Sequence, residues 1–209
     1  MTGRIIETSA CVAEGAAHLA RVEPRFAQAL EETGPLPLRR RRDGFEALLD
    51  AIVSQQLSVA AAEAIWHKLK VARLTGPRKI RWANDEELRA CGLSRQKIVY
   101  ARELAGSGVN YAALRGMPSD AVIAELVRIK GIGQWTAEIY AMFSLGRADV
   151  FAPGDLALQE STRLLFEMPE RPSEKALRAM AQDWSPWRGV AARLLWAYYR
   201  VAKDREGIR

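Results

Sequence analysis

The chain has 209 residues, 49% apolar and 27% charged, with a net charge of +6. That length supports one sizeable domain or two small lobes sharing a cleft, and charge interrupts every long apolar run, which argues against a membrane span. Two cysteines (Cys11, Cys91) and two histidines (His18, His67) are too few for a disulfide framework, an iron–sulfur cluster, a zinc site or a histidine-based triad. The positive surplus favours a polyanionic partner, although a merely basic soluble protein fits it too. Residues 1–7 lack the apolar core of a signal peptide, so a cytoplasmic location is expected, nucleoid-associated in a bacterium.

The predicted elements are helical nearly throughout. The run 39–42 is four arginines, readable as a solvated loop or as a binding site. Phe45, Leu48, Leu49, Ile52 and Val53 then fall at i, i+3, i+4, i+7 and i+8, one apolar stripe. Asp43 and Glu46 around its start resemble a capping box. Ser58 reads as the N-cap of a helix over 59–69, and the Gly92-Leu93-Ser94 break precedes a helix over 95–104. Ser119 is expected to cap a helix over 120–129, with further helices over 134–143 and 155–166. Ser173 opens a helix over 174–184, and Ser185-Pro186 reads as a cap followed by proline at the first position of a long helix over 187–203. Strand signals are weak, and there is no repeat or low-complexity tract. The expectation is an all-α, two-lobed domain over 1–209 with about eight to ten helices and a cleft between the lobes. The pattern restarts after a connecting stretch near 106–118.

The informative segment is Leu126-Val-Arg-Ile-Lys130-Gly131-Ile132-Gly133-Gln134-Trp135-Thr136-Ala137. Two glycines flank one apolar residue between two helices. Glycine permits positive φ and a close approach of other backbone, and Ile132 can plug the gap between the helices. The second helix then begins with N–H groups and the positive end of a dipole, which favour a phosphate, and Arg128 and Lys130 add positive charge. An ordinary αα-turn is the bland alternative. Pro153-Gly154-Asp155 follows 22 residues beyond Gly133. Taken alone, Pro-Gly is a turn and Asp155 a helix N-cap.

Together, Gly131-Ile132-Gly133 and Pro153-Gly154-Asp155 resemble the helix-hairpin-helix plus Gly/Pro-Asp motif of the DNA glycosylases, with the hairpin over about 120–143 and the catalytic loop over about 150–156. The resemblance implies that Asp155 is catalytic. It implies that Lys130, Gly131, Gly133, Gln134 and Thr136 contact the DNA backbone, and that the carbonyls of Val127, Ile129 and Ile132 hold a structural Na+ or K+. Bifunctional relatives carry a nucleophilic lysine two residues after the second glycine. Trp135 stands there instead, so lyase activity is not expected. The iron–sulfur cluster of other branches needs C-terminal cysteines that this sequence does not have, and no cofactor is expected to be required.

Residues 45–58, Gly92-Leu93-Ser94-Arg95-Gln96-Lys97 and Trp184-Ser185-Pro186-Trp187-Arg188 are similar to the 3-methyladenine DNA glycosylase II branch. The resemblance then extends over about residues 20–203 and implies aromatic walls at Trp135 and Trp187. Ile139 takes the place of a pocket tyrosine, leaving a more open pocket. Gln56, with Leu57 beside it, stands at the wedge that fills the gap left by an extruded nucleotide. Against this, a tryptophan at a helix start commonly serves packing, and Gln55-Gln56 can simply end a helix. Too little chain precedes Phe45 for the N-terminal β domain of the larger enzyme, so a compact form is expected. The implied activity is hydrolysis of N-glycosidic bonds of alkylated bases in double-stranded DNA, by a monomer. The rivals are a glycosylase of other specificity (uracil, thymine mismatch, hypoxanthine, or the N1-methyladenine and N3-methylcytosine pair), a non-catalytic DNA-binding module in which Asp155 is only a cap, and a helical scaffold unrelated to DNA.

Overall fold

The apolar stripes fold as helices. A computed structural model describes residues 2–205, apart from the side chains of Val59 and Arg205. In chain order the helices are α1 (Ser9–Val22), α2 (Pro24–Thr33), α3 (Phe45–Ser54), α4 (Val59–Val71), α5 (Pro77–Trp82), α6 (Asp85–Ala90), α7 (Arg95–Gly106), α8 (Tyr111–Gly116), α9 (Ser119–Val127), α10 (Gln134–Ile139), α11 (Leu156–Leu165), α12 (Glu174–Met180) and α13 (Arg188–Arg205). A π-helical turn, Tyr140–Ser144, follows α10, and a 3-10 turn, Ala181–Trp184, follows α12. Among the described residues β pairing is limited to one isolated bridge between Ile5 and Arg147. The all-α expectation holds, but the helices outnumber it. Helices α5, α6 and α8 have six residues each, too short to show a period. In α1 the buried face is Val12, Gly15, Ala16 and Leu19, and in α2 it is Phe26 and Ala29.

The chain forms two compact units. One is Arg41–Tyr140; the other joins Thr2–Arg40 to the chain from Ala141 onward. The division therefore does not fall near 106–118, where α8 lies inside the first unit. Of the single domain expected over 1–209, Met1 and residues 206–209 lie outside the described residues.

In the unit Arg41–Tyr140, α7 packs on α3, α5 and α6, α4 packs on α3, and α9 packs on α10. The predicted stripe of α3 is fully buried at Leu48, Leu49, Ile52 and Val53, with Ile80, Leu88, Val122 and Leu126 in the same core. In the other unit α13 packs on α11, α2 and α1. Trp184 meets Phe26 and Phe151 edge-on, with centroids 5.2 and 5.3 Å away, each pair worth about 0.5–1.5 kcal/mol beyond its area. Arg193 is also inside this core. Its guanidinium donates to the Gly189 carbonyl at 2.6 Å and twice to that of Leu38 at 3.2 and 3.1 Å. Burial, reinforced by Arg39 and Arg40, pushes its pKa down to about 10.

Caps at Ser58, Ser94 and Ser173 form as expected, each hydroxyl accepting a first-turn N–H. Two do not. Helix α3 starts from Gly44 with no side-chain cap, because Asp43 accepts two hydrogen bonds from Arg115, at 2.7 and 3.1 Å. Helix α9 includes Ser119 and starts after Pro118, again uncapped by a side chain. Ser185-Pro186 is a cis peptide ahead of α13 rather than its first turn. Ser185 donates instead to Asp149, at 2.8 Å.

Candidate active site

Asp155 sits at the mouth of α11. Its N–H donates to the Ala152 carbonyl at 3.0 Å, closing a turn over Pro153-Gly154. Its Oδ1 accepts the N–H groups of Ala157 and Leu158 at 2.9 and 3.0 Å, an N-cap as the residue pattern predicts. The same oxygen also accepts the Trp196 indole N–H at 3.2 Å. A helix cap needs no such third donor. The indole comes from α13, and Trp196 is half-buried. Phe143 lies 5.7 Å from its ring at a 35° tilt, and the Arg39 guanidinium 5.9 Å from it. Arg40 donates to the Ser144 carbonyl at 2.9 Å. The first half of the arginine run is therefore tied to this unit rather than simply solvated.

Sequence reasoning missed Trp196 and chose Trp187. Trp187 is 3% exposed. A Cβ on Gly15 would come within 2.7 Å of its ring, and the Arg4 guanidinium lies 4.6 Å from its centroid. That indole is a packing anchor beneath α1 and presents no open face to a base. The one signal for Trp196 was a tryptophan late in a long helix, which periodicity assigns to packing. Nearby, Asp149 accepts both arms of Arg188 at 2.7 and 2.9 Å as well as Ser185. Burial alone raises its pKa, but the Arg188 and Ser185 hydrogen bonds outweigh it and hold the carboxyl below its ordinary value. Asp149 braces the entry to α13.

The hairpin belongs to the unit Arg41–Tyr140. Gly131 adopts φ +97°, and a Cβ there would lie 2.4 Å from Cγ of Tyr100, so the fold requires glycine. Ile132 is buried as the plug. Gly133 differs from expectation: its φ is −86° and a Cβ would meet nothing within 4 Å. Nothing inside the unit requires glycine there; its bareness leaves the start of α10 open. Helix α10 has no side-chain cap. Lys130, Gln134 and Trp135 are exposed, Trp135 by 42%, and Ile139 is half-buried. The Thr136 side chain is buried, so its hydroxyl is not presented outward; that residue has only its backbone to offer a phosphate. Gln134 donates to Glu138 at 2.9 Å. Gln56, with φ +56°, and Leu57 are exposed on the turn after α3.

For the expected monovalent cation the loop carbonyls would be the donor set, and that of Ile129 also accepts the Ile132 N–H at 2.9 Å. Among the described residues there is no cluster of three or more His, Cys, Asp or Glu side chains. No helix there is long and apolar enough to cross a membrane.

Residues 49–186, which contain both the hairpin and the Pro-Gly-Asp turn, match the HhH-GPD superfamily of base excision DNA repair proteins. The chain belongs to this superfamily. This HhH-GPD protein is 30% identical over 204 residues to DNA-3-methyladenine glycosylase 1 of Schizosaccharomyces pombe, covering 92% of this chain and 90% of that one. Among solved structures, a DNA-3-methyladenine glycosidase from Bacillus halodurans superposes with a TM-score of 0.79 at 34% identity, over 89% of each chain. The S. pombe 3-methyladenine DNA glycosylase in complex with abasic DNA gives 0.77 at 29% identity, over 88% of this chain and 95% of that one.

Proposed function

We propose that this HhH-GPD protein is a DNA glycosylase that excises alkylated bases such as 3-methyladenine and 7-methylguanine from double-stranded DNA, with Asp155 as the essential carboxylate. The observation that carries this reading is the convergence of three donors, one of them an aromatic indole from a separate helix, on Oδ1 of Asp155.

The chemistry follows from the residues. Excision requires the nucleotide to leave the stack, at a cost of about a few kcal/mol. The hairpin, with Lys130, Gly131, Gly133, Gln134 and the Thr136 backbone, grips the phosphates, and Gln56 and Leu57 fill the gap. The methylated purines carry positive charge, which an indole face attracts by about 0.5–2 kcal/mol. Trp196 supplies such a face beside Asp155, and in the hairpin unit the exposed Trp135 offers another with Ile139 as an apolar neighbour. The charged base is a good leaving group. As its bond to C1′ lengthens, positive charge builds on the sugar and a fixed carboxylate stabilises it. Water then completes hydrolysis, oriented or deprotonated by Asp155. With Trp135 where a lyase would have lysine, the product is an intact abasic strand. The protein acts as a monomer on chromosomal DNA, in the cytoplasm or bacterial nucleoid, with no cofactor and with a monovalent cation held by the carbonyls of Val127, Ile129 and Ile132.

Incubation with DNA treated with a methylating agent, followed by mass spectrometry of released bases, tests this. Release of 3-methyladenine, with strand breaks only after heat and alkali, is expected. DNA binding without any base release would point instead to another lesion or to a binding module.

A further inference from the structure

The turn after α3 is fastened from two sides. The N–H of Gln55 closes α3 onto the Ile52 carbonyl at 3.3 Å. Its side chain leaves the turn and donates from Nε2 to the Gly131 carbonyl at 2.9 Å. From α7, Lys97 donates its ammonium to the Val53 carbonyl at 2.7 Å, and burial lowers the pKa of that lysine. Helix α7 also carries Tyr100, whose ring occupies the space that a Cβ on Gly131 would need. Gln96 donates to the Tyr100 hydroxyl. One helix thus backs both the turn and the hairpin loop, and Gln55 joins them directly. The residues that the turn shows to solvent are Gln56, in the left-handed backbone region, and Leu57. A bulky tip held on strained backbone is stable only if its surroundings fix it.

We propose that Gln55 is a positioning residue that couples the phosphate-gripping hairpin to the Gln56-Leu57 wedge. It rests on the glycosylase reading in taking DNA as the ligand, the hairpin as its grip and Gln56-Leu57 as the wedge. A wedge works if its tip does not retreat when pressed against stacked bases. The Gln55 amide passes that load to the hairpin loop, which the DNA backbone itself holds. Grip and insertion then occur at a fixed spacing rather than as independent events.

The test uses a duplex with a tetrahydrofuran abasic analogue and 2-aminopurine opposite it, whose fluorescence rises when the base is unstacked. Wild-type protein should raise the signal. Gln55→Ala, and Gln55→Glu, which sets a carboxylate against the Gly131 carbonyl, should bind with an unchanged salt slope while the ratio of wedged to unwedged complex falls about fivefold, the effect of one net hydrogen bond. Leu57→Ala should reproduce that loss. A wild-type signal in both Gln55 variants overturns the proposal. So does a loss of binding in step with the signal, which marks a purely structural role, and so does a wild-type chain that fails to bind the duplex or binds it without any rise. No base release is read, so a chain that wedges DNA yet frees no methylated base defeats the glycosylase reading and leaves this one standing.

Discussion

Asp155 accepts two backbone N–H groups and one indole N–H on the same oxygen. The backbone donors belong to helix capping. The indole is the addition that ties the carboxylate to α13 and sets an aromatic surface beside it. Trp196→Phe keeps the ring and deletes the donor. Single-turnover base release should fall about 10- to 150-fold, the cost of one hydrogen bond to a charged group, with DNA affinity unchanged in a filter-binding assay. An unaltered rate would remove Trp196 from the site. That Asp155 caps a helix was legible because Pro-Gly before an aspartate is local chemistry. Its indole partner was not, because Trp196 lies 41 residues away and is delivered by the packing of α11 on α13.

At the scale of elements, the hairpin was legible because two glycines around one apolar residue form a short local pattern, but the glycines have different duties. Gly131 is required by its φ of +97° and by Tyr100, and Gly133 by neither. Gly131→Ala should therefore destabilise the protein by about 2–4 kcal/mol, combining left-handed backbone strain with overpacking, seen as a lower denaturation midpoint. Gly133→Ala should leave that midpoint within about 0.5 kcal/mol, as for a surface change, yet weaken DNA binding, since its methyl group would stand where a phosphate approaches. Equal destabilisation by both would contradict this division. The caps teach the same lesson. Ser58, Ser94 and Ser173 were readable because nothing distant competes for them. Asp43 was not, because Arg115, 72 residues on, takes its carboxylate.

For the whole molecule, the periodicity, caps and breaks that located α3, α4, α7 and α13 say nothing about which helices share a unit. One unit is built from both ends of the chain, so its composition could not be read from a local pattern, and the break placed near 106–118 was misjudged for that reason. Trp187 was misassigned because family-like spacing cannot distinguish an indole turned under α1 from one turned toward a site. The net charge of +6 suits a DNA partner, and the superfamily match turns that suitability into a specific account. The proposed role of Asp155 requires that its charge, not merely its cap, drive base loss. Asparagine can keep an oxygen at Oδ1 for all three donors and removes only the charge. The direct measurement is single-turnover release of 7-methylguanine from a defined duplex by wild type and Asp155→Asn, with melting and DNA binding recorded alongside. Folding and binding should be unchanged, with release slowed by about 10²- to 10³-fold, the usual loss when one electrostatic partner of the transition state is deleted. An asparagine variant that releases the base at near wild-type rate would return Asp155 to the role of a helix cap.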